Sequence, residues 1–492
     1  MPISFDNSYI QMPAECHRPQ AAQPVVKPDL IALNRPLAQA LGLDVAWLEG
    51  PEGLAMLAGN AFPDGAAAVA LAYAGHQFGH FVPQLGDGRA LLLGEVLDPS
   101  GQRWDLQLKG SGPTAFSRGG DGRSSIGPVV REYLASEAMA TLGVPTTRAL
   151  AAVGSGETVQ RNGTEPGGIL CRVASSHLRV GSFEYLARHG RAEAVQTLAD
   201  YAIARHYPQA ADHPQPLLGL LEAVVAAQAK LVADWMRVGF IHGVMNTDNC
   251  AISGETIDYG PFGFLDTFVP NQVYSSIDHA GRYAYNQQPA IATWNLARLA
   301  ECLLTAPSLK TKTEAHLEQA NHILRGFKPQ FEAHFHASFC AKLGLPHQPS
   351  FAELAMRLLD IMAEGNADFT RCFRLLSDLA DEPASTDAQW LQHFDEESAA
   401  THWLSQWRQA LRSTGQDRSQ RQANLRAVNP VFILRNHLAQ HAVDAAIQDL
   451  DFEPMRRLHA VLQQPFTDQP DAMDLALPPA PEERVLQTFC GT

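Results

Sequence analysis

The sequence predicts an α+β protein with two lobes, a small lobe of mainly β-strands followed by a larger helical lobe. Three observations lead to this fold class. Short strand-like runs bounded by turn residues fill 81–109 and 146–174. A long amphipathic helix is predicted over 217–238 and is followed at once by a polar loop at 240–249. Helical patterns then dominate the remainder of the chain.

Length and charge narrow the class of protein. A chain of 492 residues with 46% hydrophobic residues can bury a sizeable core and spans several domains or one enlarged enzyme. The net charge of −15 argues against nucleic-acid or anionic-membrane partners, since both require a basic face. We see no long apolar run, no signal peptide and no C-x-x-C pair among the seven cysteines. We therefore expect a cytoplasmic protein.

The predicted organisation has four parts. An N-terminal extension covers 1–70, and irregular structure with short helical pieces such as 36–43 is predicted up to about residue 60. A nucleotide-binding small lobe follows at 71–178, and a helical lobe with the catalytic loop at 179–380. A helical C-terminal extension with a flexible, proline-rich tail completes the chain at 381–492.

The small lobe begins with a segment at 71–80 that is rich in glycine, histidine and aromatic residues. It is either a loop beside nucleotide or substrate, or a packed aromatic turn. Three strands are then predicted at 81–85, 89–97 and 104–109, with a Gly-Asp-Gly hairpin turn at 86–88 between the first two. Apolar and polar residues alternate in the third strand, so Lys109 lies opposite its apolar face.

A loop rich in glycine, hydroxyl and arginine residues at 110–125 is suited to an anion. The helix predicted at 128–142 carries Glu132 and Glu137, and periodicity does not decide which of them pairs with Lys109. Strands at 146–153 and 157–161 are predicted to pair across a turn at 154–156, before a last strand at 168–174. Arg172 within that strand needs a phosphate or carboxylate partner. The same two kinds of partner are possible for Arg179.

The loop after the long helix resembles the catalytic loop of protein kinases. His242 and Asn249 have the spacing of the pattern H-R-D-L-x-x-x-N, and Asp258 begins an Asp-Tyr-Gly triplet that stands for D-F-G. A short hairpin at 250–258 would deliver Asp258 to the site. Val244 occupies the position of the catalytic aspartate, and valine cannot accept a proton. Either the site is inactive or another residue acts as the base.

Together these motifs resemble the selenoprotein O family. The resemblance implies a protein-kinase-like fold that binds ATP in the reverse sense and transfers AMP to Ser, Thr or Tyr hydroxyls of proteins. The segments that carry it are LGDGR at 85–89, QLKGSGPT at 107–114, GGDGR at 119–123, REYL at 131–134, the run 172–181, HGVMNTDN at 242–249, DYG at 258–260 and NP at 429–430.

The resemblance also implies the site. Asp248 becomes the catalytic acid–base residue, and Mg²⁺ or Mn²⁺ is held by Asn249 and Asp258. Glu132 becomes the favoured partner of Lys109. Cys490 stands where other members carry selenocysteine, and both a redox role and an inert thiol remain open. The implied nucleotide contacts are Gly86, Gly88, Arg89, Lys109, Asp121, Gly122, Arg172, Arg179 and Asp258.

Two other functions fit the same motifs. One is a kinase of proteins or small molecules, and the other is a catalytically inactive scaffold that binds ATP. The sequence does not identify the protein substrates, the preferred hydroxyl, Mg²⁺ against Mn²⁺, the use of UTP or the oligomeric state.

Overall fold

The computed structural model describes residues 3–161, 163–310, 313–379 and 381–489. It confirms the α+β class, with a β-sheet in the N-terminal part and helices in the C-terminal part. The strands are β1 (His17–Pro19), β2 (Asp29–Leu33), β3 (Val69–Leu71), β4 (Gly75–Gln77), β5 (His80–Val82), β6 (Ala90–Leu97), β7 (Arg103–Lys109), β8 (Ser124–Ser125), β9 (Arg148–Gln160), β10 (Thr164–Ala174), β11 (Phe240–Ile241) and β12 (Gly263–Phe264).

Most of the remaining regular structure is helical. They are α1 (Arg35–Ala40), α2 (Val45–Glu49), α3 (Pro51–Leu57), α4 (Ile126–Thr141), α5 (Val180–Arg188), α6 (Ala192–His206), α7 (Pro216–Arg237), α8 (Gln288–Leu303), α9 (Pro307–Lys310), α10 (Thr313–Arg325), α11 (Phe327–Lys342), α12 (Pro349–Glu364), α13 (Phe369–Leu375), α14 (Asp387–Leu391), α15 (Glu397–Thr414), α16 (Arg418–Val428), α17 (Asn436–Asp449) and α18 (Glu453–Leu462).

The main sheet is antiparallel, with the order β1-β3-β6-β7-β10-β9-β2 and with β8 paired to β10. Its two edge strands, β1 and β2, come from the region predicted to be irregular, so that prediction is wrong. Both strands are short, and strands of three to five residues give little periodic signal. The boundaries predicted at 70, 178 and 380 stay predictions.

The two faces of β7 separate apolar from polar side chains, as its alternation predicts. Leu106 and Leu108 are fully buried in a core that also contains Leu48 and Met56 of the N-terminal helices. Lys109 lies on the opposite face and contacts α4. One face of the sheet is therefore structural, and the other carries the polar groups of the site.

The hairpin predicted at 86–88 is wrong. β5 pairs with β4 in a separate two-stranded sheet, whereas β6 pairs with β3 and β7. The turn is held beside β3 instead, because the backbone N–H of Asp87 donates to Leu71 O (2.9 Å) and Asp87 Oδ2 accepts from Leu71 N (3.2 Å). The short strand and the Gly-Asp-Gly turn were recognisable, but the strand's pairing partner was not.

Two other predicted turns are also wrong. β9 continues through 154–156, where Gly156 (φ +71°) permits a close approach, since a Cβ there would lie 2.6 Å from Lys27 O. The segment 250–258 forms no hairpin with itself, because Ala251 bridges to Arg179 and Thr256 bridges to Thr146. In each case the sequence indicates an extended or irregular segment without indicating its partner.

The predicted helices at 128–142 and 217–238 are confirmed as α4 and α7. α7 is long and apolar enough to cross a membrane, with a mean hydropathy of 1.5, but 67% of that stretch is buried inside the protein. A core helix of a globular protein has the same properties. α7 ends directly before β11 and so positions the loop at 240–249, which is predicted to be catalytic and is called the catalytic loop below.

The C-terminal region supports the helix that carries Glu132. α17 and α18 pack on α4, and Thr141 Oγ1 donates to Leu462 O (2.8 Å). The tail then reaches the loop after β12, where Thr488 N donates to Tyr274 O (2.7 Å). Thr488 is buried, so this part of the predicted flexible tail is docked on the protein. Cys490 lies outside the described residues.

Candidate active site

The site begins at the end of β7, where Lys109 meets α4. Lys109 Nζ lies 2.6 Å from Glu132 Oε2 and 3.3 Å from Asp258 Oδ1. Glu137 pairs instead with Arg148 of β9, at 2.6 Å. Residues five apart on a helix point about 140° apart, so only one of the two glutamates faces β7. The structure thus selects Glu132, which the family resemblance favoured and periodicity left undecided.

Arg172 of β10 is fully buried, and carboxylates compensate its charge. Its Nη2 lies 2.5 Å from Glu132 Oε1 and 2.7 Å from Asp258 Oδ1, and its Nη1 donates to Gln107 Oε1 (3.1 Å). Gln107 is opposite Arg172 in the pairing of β7 with β10. The partners that the sequence left undefined are therefore carboxylates, as a buried guanidinium requires.

Arg179, directly before α5, joins the two aspartates of the site. Its Nη1 donates to Asp258 Oδ2 (2.7 Å) and to the backbone oxygen of Asp248 (2.9 Å). Its guanidinium stacks on the ring of Tyr73 (4.5 Å to the centroid) and lies 3.9 Å from Asp87 Oδ1. Arg179 thereby connects the catalytic loop to the Gly-Asp-Gly turn.

Asp258 thus contacts three cationic side chains, Lys109, Arg172 and Arg179. We call these three side chains, together with Asp258 and Glu132, the ion network. Burial by itself would raise the pKa of Asp258, but the three cations more than offset it and hold the pKa well below its usual value. Asp258 adopts a left-handed backbone conformation (φ +61°), which is costly for a non-glycine residue and is concentrated at functional sites.

The catalytic loop is closed by its own polar groups. His242 Nε2 lies 2.9 Å from the backbone oxygen of Ile257, which links the start of the loop to the segment carrying Asp258. Asn249 Nδ2 donates to Val244 O (3.0 Å) and links the two ends of the loop. His242 is buried and holds the loop in place rather than facing the site opening.

Asp248 lies in this loop under the β4–β5 hairpin. A Cβ on Gly75 would lie 2.3 Å from Asp248 Oδ1, so only glycine permits this packing. Gln77 Nε2 donates to Asp248 Oδ2 (3.3 Å), while Oδ1 is buried and has no hydrogen-bond partner in the described part of the chain. Burial raises the pKa of Asp248 to about 6, although Arg179 and Gln77 oppose this shift.

The two glycine-rich segments form one structure next to Arg179. A Cβ on Gly86 would lie 2.3 Å from the ring of Phe116, and one on Gly88 would lie 3.0 Å from Phe116 O. Thr114 Oγ1 donates to Asp87 O (2.6 Å), which fastens the 110–125 loop to the turn. The backbone at Gly86 and Gly88 is thus held close to the ion network through Asp87.

Asp121 and Gly122 lie further out on the same loop. Gly122 O accepts from Gly112 N (3.0 Å), and Asp121 pairs with Arg161 (2.9 Å) with 48% of its side chain exposed. Arg89 is half-buried at the start of β6. The structure therefore brings Lys109, Arg172, Arg179, Asp258 and Asp248 into contact, with Asn249 adjoining Asp248. Asp121 and Gly122 contact Arg161 and Gly112 instead.

Sequence reasoning missed two residues of this site. Asp87 is buried, accepts from Gln107 Nε2 (3.1 Å) and lies beside Arg179, and burial raises its pKa to about 6. An acidic residue between two glycines was a usable signal. Gln77 lies in the segment 71–80, whose alternatives were a site loop and a packed turn, and its contact with Asp248 makes it part of the site.

The oxygen groups here suit a hard divalent cation. Asp258, Asn249 and Asp248 offer carboxylate and amide oxygens, the ligands that Mg²⁺ prefers, and the buried Asp248 Oδ1 has no partner in the residues described. Among all residues that the structure describes, no group of three or more His, Cys, Asp or Glu side chains forms a complete metal site. A cation bound here would take further oxygens from a nucleotide, as Mg²⁺ commonly does.

Comparison with known proteins identifies the group to which these motifs belong. The family model described as protein adenylyltransferase SelO matches residues 2–463. The chain belongs to the SelO family. It is 58% identical to a protein nucleotidyltransferase YdiU of Alkalilimnicola ehrlichii, over 99% of this chain and 98% of that protein. Proteins of the same name from Rhodopseudomonas palustris and Bradyrhizobium sp. are 56% and 54% identical over 99% of both chains.

Membership confirms the family predicted from the motifs. This SelO-family chain is an enzyme of the nucleotidyltransferase class, which uses a nucleotide such as ATP. An inactive scaffold is thereby the weakest of the three functions considered.

Proposed function

We propose that this SelO-family enzyme transfers AMP from ATP to Ser, Thr or Tyr hydroxyls of proteins and releases pyrophosphate. The observation that carries the proposal is the position of Asp248. Its carboxylate is buried beside the ion network and has one oxygen without a partner among the described residues, whereas Val244 replaces the kinase base. A base at Asp248 rather than at Val244 fits a protein-kinase-like fold with ATP bound in reverse.

The nucleotide phosphates would be held by the cations that now surround Asp258. Lys109, Arg172 and Arg179 supply charge-assisted donors, and Arg172 and Arg179 are kept in place by carboxylates and backbone oxygens. The remaining proposed contacts with the nucleotide are Gly86 and Gly88 in the glycine turn, Arg89 directly before β6, and Asp121 and Gly122 in the 110–125 loop.

Asn249 and Asp258 would hold Mg²⁺ or Mn²⁺. When bound, such a cation neutralises charge on the phosphates and on the departing pyrophosphate. Asp258 suits this role because its neighbouring cations keep its pKa low and its carboxylate ionised. Glu132 would then remain as the carboxylate partner of Lys109 and Arg172.

The transfer step requires one proton acceptor. The acceptor hydroxyl oxygen attacks the α-phosphorus, the bond from the α-phosphorus to the oxygen bridging to the β-phosphorus breaks, and the electron pair leaves with pyrophosphate. Asp248 takes the hydroxyl proton on its carboxylate, whose buried Oδ1 has no hydrogen-bond partner in the described structure. Lys109, Arg172 and Arg179 stabilise the negative charge that develops on the leaving group.

Labelled ATP tests the proposal directly. The enzyme is incubated with divalent metal, candidate protein acceptors and ATP labelled at either the α- or the γ-phosphate. We expect label on protein only from α-labelled ATP, with release of pyrophosphate, and much slower labelling with Asp248→Asn. Protein label from the γ-position alone would identify a kinase, and no label from either would favour an ATP-binding scaffold.

We also propose a cytoplasmic enzyme whose partners are ATP and proteins rather than nucleic acids or membranes. The net charge of −15 supports this, because nucleic acids and anionic membranes repel such a surface. Cell fractionation tests it, and stable recovery with the membrane fraction would contradict it.

A further inference from the structure

A surface next to the catalytic loop combines arginines with aromatic rings. We call it the basic–aromatic patch: Phe81, Arg188, Arg282, Trp294 and Arg298. Arg188 stacks 5.0 Å from the Phe81 ring centroid, and Arg282 and Arg298 lie 4.9 and 4.8 Å from that of Trp294. The His76 ring lies 5.0 Å from Phe81 and 5.1 Å from Trp294, which makes the patch continuous.

The arginines of the patch are weakly neutralised. In the part of the chain that the structure describes, no carboxylate forms an ion pair with Arg188 or Arg282. The buried Glu184 pairs with His76 (2.5 Å) and interacts with Arg298 and Arg188 at longer range, but burial raises its pKa to about 7. Arg298 pairs with Glu301 of its own helix (2.7 Å), whose side chain is 56% exposed. Aromatic faces hold these guanidinium groups. The Nε atoms of Arg282 and Arg298 are buried and have no hydrogen-bond partner among the described atoms.

The β4–β5 hairpin connects the patch to Asp248. Gln77 of the β4–β5 hairpin donates to Asp248, and the tip of that hairpin reaches Arg282, since a Cβ on Gly79 would lie 3.6 Å from Arg282 Cζ. Tyr283 OH donates to Asn246 Oδ1 in the catalytic loop (2.7 Å). The ion network contacts Asp248 from elsewhere, through Arg179. In the proposed function, the cations of the ion network bind the phosphates of the nucleotide. The basic–aromatic patch can therefore bind a different anion.

We propose that the basic–aromatic patch binds acidic residues that flank the acceptor hydroxyl in protein substrates. The inference rests on the proposed transfer of AMP to proteins and specifies the class of protein that receives it. Guanidinium groups bind carboxylates through paired donors, and a positive patch beside the reaction centre favours substrates of opposite charge. Glu- or Asp-rich segments fit this surface, and Lys- or Arg-rich segments are repelled.

Matched peptides test the proposal. Two peptides share one acceptor residue, one flanked by glutamates and the other by lysines, and transfer is followed with α-labelled ATP. We expect wild-type enzyme to label the glutamate peptide about tenfold faster, because one exposed and two half-buried arginines act together and each contributes only weakly next to water. Combined Arg188→Gln, Arg282→Gln and Arg298→Gln should reduce this ratio towards one. The corresponding three lysine substitutions should keep most of it, and Arg357→Gln on the exposed face of α12 is the control.

A binding measurement separates this inference from the proposed function. Fluorescence anisotropy of the glutamate peptide needs no transfer, and we expect binding that weakens with salt and is lost in the triple glutamine variant. Transfer to both peptides at equal rates, or an unchanged ratio in that variant, would overturn the patch assignment while leaving AMP transfer intact. Absence of label on every acceptor would contradict the proposed function. The anisotropy measurement would then test by itself whether the patch binds acidic peptides.

Discussion

Asp248 and Asp258 lie ten residues apart in one site, yet their surroundings are opposite. The Asp258 carboxylate contacts Lys109, Arg172 and Arg179, and these cations hold its pKa well below the usual value. The Asp248 carboxylate accepts from Gln77 but contacts no cationic side chain within ion-pair distance among the described residues, and burial raises its pKa to about 6.

This contrast shows how neighbouring groups assign different tasks to the same side chain. A carboxylate surrounded by cations stays ionised and can organise them or hold a metal ion. A carboxylate in a poorly solvated place, with an oxygen lacking a partner in the described structure, is suited to accept a proton. Arg179 couples the two, because it binds the side chain of Asp258 and the backbone oxygen of Asp248.

The largest effect is expected from Asp258→Asn. The substitution removes the charge shared by Lys109, Arg172 and Arg179, so both ATP binding and AMP transfer should be lost. Calorimetric titration with ATP and transfer of α-label measure the two effects, and circular dichroism checks the fold. Asp200→Asn on the exposed face of α6 is the matched control. A folded variant with normal binding and transfer would remove Asp258 from the site.

Asp248→Asn should separate the role of Asp248 in AMP transfer from the role of Asp258 in ATP binding. Transfer should fall by about 10²–10⁴-fold, the usual contribution of a positioned base, while ATP binding stays near wild type. Adding Val244→Asp should not restore activity, because that position would face another phosphate if ATP is reversed. Rescue by Val244→Asp would contradict the reversed orientation, and loss of ATP binding would show that the two aspartates share one role.

Asp105 extends the comparison to a third buried carboxylate. Burial would raise its pKa, but Arg205 (2.5 Å) and His177 (2.9 Å) outweigh this and lower it to about 2. Since the folded pKa lies below the unfolded value of 3.8, the stabilisation is complete above about pH 4 and is lost as the pH falls towards 2. The ionised group therefore contributes about 2 kcal/mol to the free energy of unfolding.

Chemical denaturation from pH 6 to pH 2 measures this contribution. Asp105→Asn should be less stable overall and should show a smaller loss of stability between pH 4 and pH 2, with Asp200→Asn as the surface control. An identical pH dependence in the wild type and Asp105→Asn would mean that nearby cations do not set the pKa of this carboxylate.

The smallest effect is expected from Gln77→Ala, which removes the side-chain donor to Asp248. One hydrogen bond of about 1 kcal/mol corresponds to a roughly fivefold fall in kcat, and KM for ATP should stay constant because Gln77 contacts no member of the ion network. Gln84→Ala, at an exposed position in the same region, is the control. A change in KM for ATP without a change in kcat would place Gln77 on the nucleotide side.

The sequence by itself determined the α+β class, the helices α4 and α7, the face on which Lys109 lies and the residue types of the site. These features depend on local periodicity, turn chemistry and motif spacing, all of which can be read along the chain. The family followed from the same motifs. The kinase-like details of the fold and the individual site roles remain predictions.

Only the tertiary structure decided which groups meet. It selected Glu132 over Glu137, paired β5 with β4 rather than with β6, and placed Gln77 beside Asp248. Strand pairing and burial arise from contacts between residues far apart in the chain, so local patterns cannot specify them. The opposite surroundings of Asp248 and Asp258 have the same origin, because their pKa values depend on side chains brought from β7, β10 and the β4–β5 hairpin.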